Sequence, residues 1–269
     1  MKITDITVNR VRAPQGENAK SFVGRPGRLI LQIHTDEGIS GISEAGRNLK
    51  VVRSYIDELI KPVLIGADPR RPRKIWELLT LGDGQQATRY PSQIVGSIDV
   101  ALWDITGKAA GMPIYQLLGG ACDRIPSYAS TPMFENVSAY MDLIEELLNK
   151  GFRAIKFHTW CVPEQDLALA REARRQYPDL TLMLDAENNY DHASALRVAQ
   201  ELEALGFAWF EAPLPDWDLE GYRALIDQVE IPVIPSGNWV QDLSLFSETV
   251  RTGVWTTTRT DVTILGGIT

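Results

Sequence analysis

Thr181–Tyr190, TLMLDAENNY, decides how the rest of the chain is read. Leu182, Met183 and Leu184 form a short apolar run that breaks at once into Asp185, Glu187, Asn188 and Asn189. Such a run ending in acids and amides is the pattern of a buried parallel strand whose C-terminal end opens into a polar site. The same event recurs on either side. Upstream, Arg153–Trp160 (RAIKFHTW) closes with Lys156 and His158; downstream, Ala208–Leu214 (AWFEAPL) closes with Glu211. About one helix, one strand and two short loops separate Asp185 from Glu211, which predicts neighbouring strands with their acids at one rim. Paired carboxylates at one rim suit a divalent cation.

Working outward, the chain from Arg124 alternates strand and helix. Strands are expected at Ile125–Ser130, Ala154–His158, around Met183, at Trp209, at Pro232–Ile234 and near Trp255–Thr258. Helices are expected at Val137–Asn149, Glu164–Gln176, Ala193–Leu205, Leu219–Gln228 and Gln241–Arg251. Such alternation signals a parallel sheet and a (β/α) barrel of the TIM type. The stretch is well short of the ~250 residues of an eight-fold barrel, so the barrel reads as truncated after its sixth strand, with GGIT as the start of a further helix.

The first 123 residues read differently. Ile3, Ile6 and Val8 lie in one strand, and Leu29, Leu31 and Ile33 mark one face of a second. Asp36-Glu37-Gly38 turns the chain into a third. Pro14–Gly27 is polar and glycine-bearing and reads as a mobile loop, carrying Lys20 and Arg25. Helical spacing follows from Val51, at Pro72–Leu81 and at Ser92–Ala110, the last stopped by Gly111-Met112-Pro113. Strands followed by helices predict an α+β domain over 1–123, with the barrel over 124–269.

Composition excludes several classes. The chain has 269 residues, 44% hydrophobic and 23% charged, as in ordinary globular proteins. A net charge of −8 without a basic run argues against a nucleic-acid partner. No apolar stretch approaches the ~20 residues of a membrane span, and no signal-peptide core opens the chain. Two cysteines, Cys122 and Cys161, are too few and too distant for a disulfide framework, so a reduced cytoplasmic protein is expected.

Several stretches, in order, resemble the mandelate racemase and muconate lactonizing branch of the enolase superfamily. Ser97–Gly120 (SIDVALWDITGKAAGMPIYQLLGG) looks like the end of that family's capping domain. AIKFH resembles its lysine-bearing second barrel strand, LDAEN its third, FEAPL its fourth and DVTILGGIT the close of its sixth. The resemblance covers essentially the whole chain. It implies a capping domain on a modified (β/α)7β barrel, and a chemistry in which the proton beside a carboxylate is abstracted and the enediolate is held on Mg²⁺. That proton is far too weakly acidic for an unaided side chain, so charge stabilisation at the carboxylate is required.

Residue by residue, the resemblance makes Asp185 and Glu211 metal ligands, and His158 the acid/base with Lys156 beside it on the same strand face. Histidine departs from the family's lysine there, yet it transfers protons near neutral pH. Asp261 matches the aspartate that orients a seventh-strand histidine in racemase-like members, and this chain has no such histidine. His34 and His192 read as a surface strand residue and a helix start. The family's third metal ligand is a glutamate after the fifth strand. IPVIPSGNW has Gly237 there, leaving Asn238, Glu187 or water as the alternatives, with Asn238 the first choice. Glu187, Lys20 and Arg25 are the expected substrate contacts. The implied enzyme is an acid-sugar dehydratase acting on a small carboxylate, and a homo-oligomer. A racemase, epimerase, cycloisomerase or truncated non-catalytic relative are the alternatives.

Overall fold

The structure is a computed structural model and describes residues 1–12, 27–81 and 90–269. The chain separates into two compact units, an α+β unit and an α/β barrel unit. Met1–Asp123 form the first together with Gln241–Leu243 and Asp261–Thr269, segments that the sequence pattern placed with the barrel. The second comprises Arg124–Val240 and Ser244–Thr260.

In the first unit, β1 (Ile3–Val11), β2 (Arg28–Thr35) and β3 (Ser40–Glu44) make an antiparallel sheet in sequential order. Alternation, reset by a register shift between Ile3 and Asp5, puts Ile3, Ile6, Val8, Leu29, Leu31 and Ile33 on one buried face. A helical stretch covers it in three pieces: α1 (Leu49–Ser54), a wide π turn over Tyr55–Ile60, and α2 (Lys61–Leu64). Two longer helices follow, α3 (Pro72–Leu81) and α4 (Ser92–Ala110). Ile94, Ile98, Leu102 and Ile105 of α4 are spaced for one face and are buried. Gly41 lets β3 approach α4: a Cβ there would sit 2.0 Å from the Ala101 carbonyl oxygen. The short helix α5 (Ile114–Leu117) comes next.

The last residues join this unit through one buried acid. Asp99 on α4 accepts the Ile268 N–H at 2.6 Å and the Thr269 N–H at 3.0 Å, while Trp76 Nε1 donates to the Gly266 carbonyl at 2.8 Å. Those hydrogen bonds explain why 261–269 leave the barrel.

In the second unit, β4 (Ala129–Ser130), β5 (Ala154–His158), β6 (Thr181–Asp185), β7 (Trp209–Glu211) and β8 (Val233–Ile234) form a parallel sheet in chain order. The connecting helices are α6 (Val137–Asn149), α7 (Pro163–Gln176), α8 (His192–Ala204) and α9 (Leu219–Ile226); α10 (Leu243–Arg251) follows β8. Ile155, Phe157, Leu182, Leu184 and Phe210 point into a core shared with Tyr140, Ile144, Leu169, Val198 and Tyr222. The intervening residues Lys156, His158, Met183, Asp185 and Glu211 therefore face the opposite side. Asn136, Asp191 and Asp218 cap α6, α8 and α9 by accepting backbone N–H groups.

Two expectations need correction. The strand expected at Ile125–Ser130 contracts to Ala129–Ser130, because the segment before it has no partner strand and Ile125 is 83% exposed. No regular strand forms over Trp255–Thr258 either. Thr256 makes a single backbone bond to Val233, at 3.1 Å, too little to define a ladder. Among the described residues, no helix is long and apolar enough to cross a membrane.

Candidate active site

Parallel pairing sets His158, Asp185 and Glu211 side by side: His158 registers with Asp185, and Asp185 with Glu211. All three end their strands. Lys156, two residues before His158, shares its face and extends into the gap between the two acids.

Lys156 Nζ donates to Asp185 Oδ2 at 2.8 Å and to Glu211 Oε2 at 2.9 Å. The three side chains are 5%, 8% and 2% exposed, respectively. Burial opposes the charge on Lys156, but the two carboxylates outweigh it and hold the ammonium above the usual lysine range. Burial likewise disfavours ionised Asp185, but the His158 hydrogen bond and the Lys156 charge hold its carboxyl well below the ordinary range. Glu211 Oε1 takes a further cation, the Arg259 guanidinium. Charge is thus balanced within the cluster itself.

Both ring nitrogens of His158 face acceptors. Nδ1 lies 2.9 Å from the Thr131 carbonyl oxygen, and Nε2 lies 3.1 Å from Asp185 Oδ2 and 3.9 Å from Glu187 Oε1. The Asp185 hydrogen bond, against the opposing effect of burial, raises the imidazole above its usual range. In the neutral ring the Thr131 carbonyl and the Asp185 carboxylate compete for the one remaining proton, and the tautomer that keeps it on Nδ1 leaves the lone pair on Nε2. Tyr140 Oη fixes the strand end by donating to the His158 carbonyl at 2.6 Å.

The loops leaving the strands hold left-handed backbone at four non-glycine positions, Cys161, Glu187, Asn188 and Ala212. The loop after β6 is stitched to the segment after β7. Ala186, Asn188 and Tyr190 donate their N–H groups to the carbonyls of Glu211, Ala212 and Pro213. Glu187 also donates its N–H to Asp185 Oδ1 at 3.0 Å. After β8, buried Asp216 holds the turn, accepting the Ser236 N–H at 2.8 Å, the Ser236 hydroxyl at 2.7 Å and the Gly237 N–H at 3.0 Å.

Asp185 and Glu211 fit a small hard cation. They are buried carboxylates on adjacent strands, the hard oxygen donors that Mg²⁺ takes, and Mg²⁺ is commonly held by one or two carboxylates with water completing its shell. A third protein ligand is not assembled: among the described residues, no cluster of three or more His, Cys, Asp or Glu is arranged to hold a metal ion. Gly237 has φ +71°, and a Cβ there would lie 2.5 Å from the Arg259 carbonyl oxygen. Asn238 is exposed at the tip of the turn, its N–H 3.4 Å from Ser236 Oγ.

Lys156, His158, Asp185 and Glu211 are thus brought together, with Glu187 at the margin. Asp261 groups with the first unit and accepts the Thr263 N–H at 2.8 Å. Lys20 and Arg25 lie outside the described residues. His192 opens α8 beside Asp218, and His34 lies on β2 beside Thr7. Sequence reasoning passed over Arg259, although a charged residue near an expected strand end is the signal that singled out Lys156 and His158.

The description "Mandelate racemase / muconate lactonizing enzyme, N-terminal domain" matches residues 4–119, and "Enolase C-terminal domain-like" matches residues 139–269. The chain belongs to the enolase superfamily. Within it, a D-galactonate dehydratase family member of Halomonas elongata is 34% identical over 195 residues, covering 70% of this chain and 48% of that protein. The D-galactarolactone cycloisomerase of Agrobacterium fabrum is 32% identical over 254 residues, covering 89% of this chain and 66% of its own length. This chain therefore spans about half to two thirds of these superfamily relatives. The crystal structure of D-glucarate dehydratase from Agrobacterium tumefaciens complexed with magnesium superposes with a TM-score of 0.81 at 29% identity, covering 100% of this chain and 75% of that one.

Proposed function

We propose that this chain carries the proton-transfer centre of an acid-sugar dehydratase, which removes the proton next to a carboxylate and expels the β-hydroxyl. The observation that supports it most is the row of His158, Asp185 and Glu211 with Lys156 between the acids, all at one strand-end rim. The two dehydratase relatives support the reaction class. Asp185 and Glu211 would hold Mg²⁺, with Asn238 or water as further donor, and the chemistry it supplies is polarisation of the substrate carboxylate.

His158 does the proton work. In its neutral form, Nε2 accepts the α-proton, and the C–H electron pair becomes the new C=C bond as the β-C–O bond breaks. The same Nε2 returns the proton to the departing oxygen. Water leaves, and the enol product tautomerises to a 2-keto acid. Histidine transfers protons near neutral pH without a large shift, which suits it to this step. Lys156, saturated by two carboxylates, stays an ammonium and stabilises negative charge developing at the substrate. Glu187 Oε1, near His158 Nε2, is available to a substrate hydroxyl. Lys20 and Arg25 are assigned to substrate contact on the resemblance alone, and Asp261 to an orienting role.

The test is a panel of aldonic and aldaric acids with Mg²⁺, read as 2-keto acid formed. H158N is expected to lose turnover by at least 10²-fold. A second reading, isomerisation, is favoured by the length of the cycloisomerase match. α-Deuterium exchange in D₂O without keto acid would replace dehydration by that reading, and neither signal from any acid would reject both. Cytoplasmic placement, for which the unpaired thiols of Cys122 and Cys161 are suited, and self-association belong to the same proposal.

A further inference from the structure

Every oxygen of the carboxylate pair has a partner in the protein. Asp185 Oδ1 takes the Glu187 N–H, Asp185 Oδ2 takes Lys156 and His158, Glu211 Oε2 takes Lys156, and Glu211 Oε1 takes Arg259. The two strong cations differ in how firmly they are held. Lys156 is buried, bound to both acids and supplied by the strand itself. Arg259 reaches Glu211 from a segment outside the sheet, and its side chain is 45% exposed.

Its placement depends on the neighbouring turn. A Cβ on Gly237 would meet the Arg259 carbonyl oxygen at 2.5 Å and Arg259 Cγ at 3.0 Å. The space a side chain at 237 would need is the space through which Arg259 runs. Position 237 thus offers no anion, and Arg259, which runs past it, brings a cation to Glu211.

We propose that Arg259 is a tethered counter-ion that competes with a divalent cation for Glu211 Oε1, so that metal enters this site by displacing the guanidinium. The inference rests on the reading of Asp185 and Glu211 as metal ligands. Arginine carries its charge at every accessible pH, so the competition does not fade with deprotonation. The Arg259 side of this pair is half-exposed, so a stronger local charge can release the guanidinium to solvent, whereas the buried Lys156 bridge stays in place. Arg259 thereby sets how much free cation is needed to load the site.

The experiment is calorimetric titration of the whole chain with MgCl₂, repeated by Mn²⁺ electron spin resonance, on wild type, R259Q, R259K, E211Q and the double variant E211Q/R259Q. R259Q is expected to bind the cation about tenfold or more tighter, with R259K close to wild type. The gain should vanish in E211Q/R259Q relative to E211Q, because Glu211 is the group being contested. Thermal midpoints of all variants check that each is folded. Equal or weaker binding by R259Q overturns the inference and leaves the metal reading standing. A gain that persists without Glu211 also overturns it, assigning the effect to long-range charge. Absence of binding by both wild type and R259Q at tens of millimolar cation overturns the inference and the metal reading together.

Discussion

Replacing Lys156 by methionine removes the charge that separates two buried acids and keeps much of the side-chain volume. In the native protein, one ammonium satisfies Asp185 at 2.8 Å and Glu211 at 2.9 Å, and neither acid is more than 8% exposed. Removing one partner of a buried ion pair typically costs 3–5 kcal/mol, because a desolvated charge is left behind. Here two are left, and His158 and Arg259 compensate them in part, so about 4 kcal/mol is expected. At about 3 °C per kcal/mol for a unit of this size, the midpoint falls by about 12 °C. Scanning calorimetry reads it directly. Two further arms separate charge from packing. K156M/D185N/E211Q removes the orphaned charges and should recover most of the loss. Mg²⁺ should raise the midpoint of K156M more than that of wild type, since a ligand bound only by the folded state stabilises it in proportion to occupancy. A K156M midpoint within about 3 °C of wild type would refute the account of how this centre is held together.

Alkaline pH tests a different part of the core. Burial pushes the Tyr140 phenol up to about 12, and Tyr190 and Tyr222 are raised further, so the folded state holds protons that the unfolded chain loses near pH 10. Stability is therefore fully present below pH 10 and falls between 10 and 12, by about 3 kcal/mol from Tyr140 alone; urea unfolding at stepped pH measures it, and stability unchanged from pH 10 to 12 would contradict it. Gly41→Ala drives a methyl into the Ala101 carbonyl and should cost about 3 kcal/mol, against about 1 kcal/mol for Gly38→Ala, where φ is +78° but the space is open; denaturant melts of the two variants should keep that order. Asp216→Asn turns an amide donor toward groups that already donate, namely the Ser236 N–H and hydroxyl and the Gly237 N–H. It should lower stability by about 2 kcal/mol and speed amide exchange in the 236–238 turn.

Most of the barrel's organisation was legible because its signals are local. The apolar runs at 155, 182–184 and 210 mark strands without reference to the rest of the chain, and polar residues at their ends mark the rim. The helix expected over roughly Ser92 to Ala110 is α4, since Pro91 and Gly111 are written at its two ends, and Pro72 marks the start of α3. What was not legible depends on partners distant in sequence. Trp255–Thr258 carries tryptophan and threonine fit for a strand, yet strand formation needs a bordering ladder, and Val233 supplies one bond. The grouping of 261–269 with the first unit turns on Asp99, a lone acid inside an apolar helix face. Arg259 was hidden for the same reason: its meaning lies in Glu211, far back in the chain, and in the missing side chain at 237. The pattern predicted which residues face the rim; it could not predict which of them neutralise one another.

The stitched loop after β6 has a consequence for how the rim responds to stress. Left-handed backbone at Glu187, Asn188 and Ala212 is energetically uphill, of order 1 kcal/mol or more per residue, and persists only while opposing bonds hold it. Those bonds are the three successive N–H donations from Ala186, Asn188 and Tyr190 into the chain leaving β7. Together they act as a loaded spring with a catch. Cutting one rung lets the neighbouring residues relax toward right-handed or extended backbone, and the acid at position 185 loses the amide that orients it. The rim should accordingly fail as a unit, in one cooperative opening, with the amides of 186, 188 and 190 exchanging at a common rate.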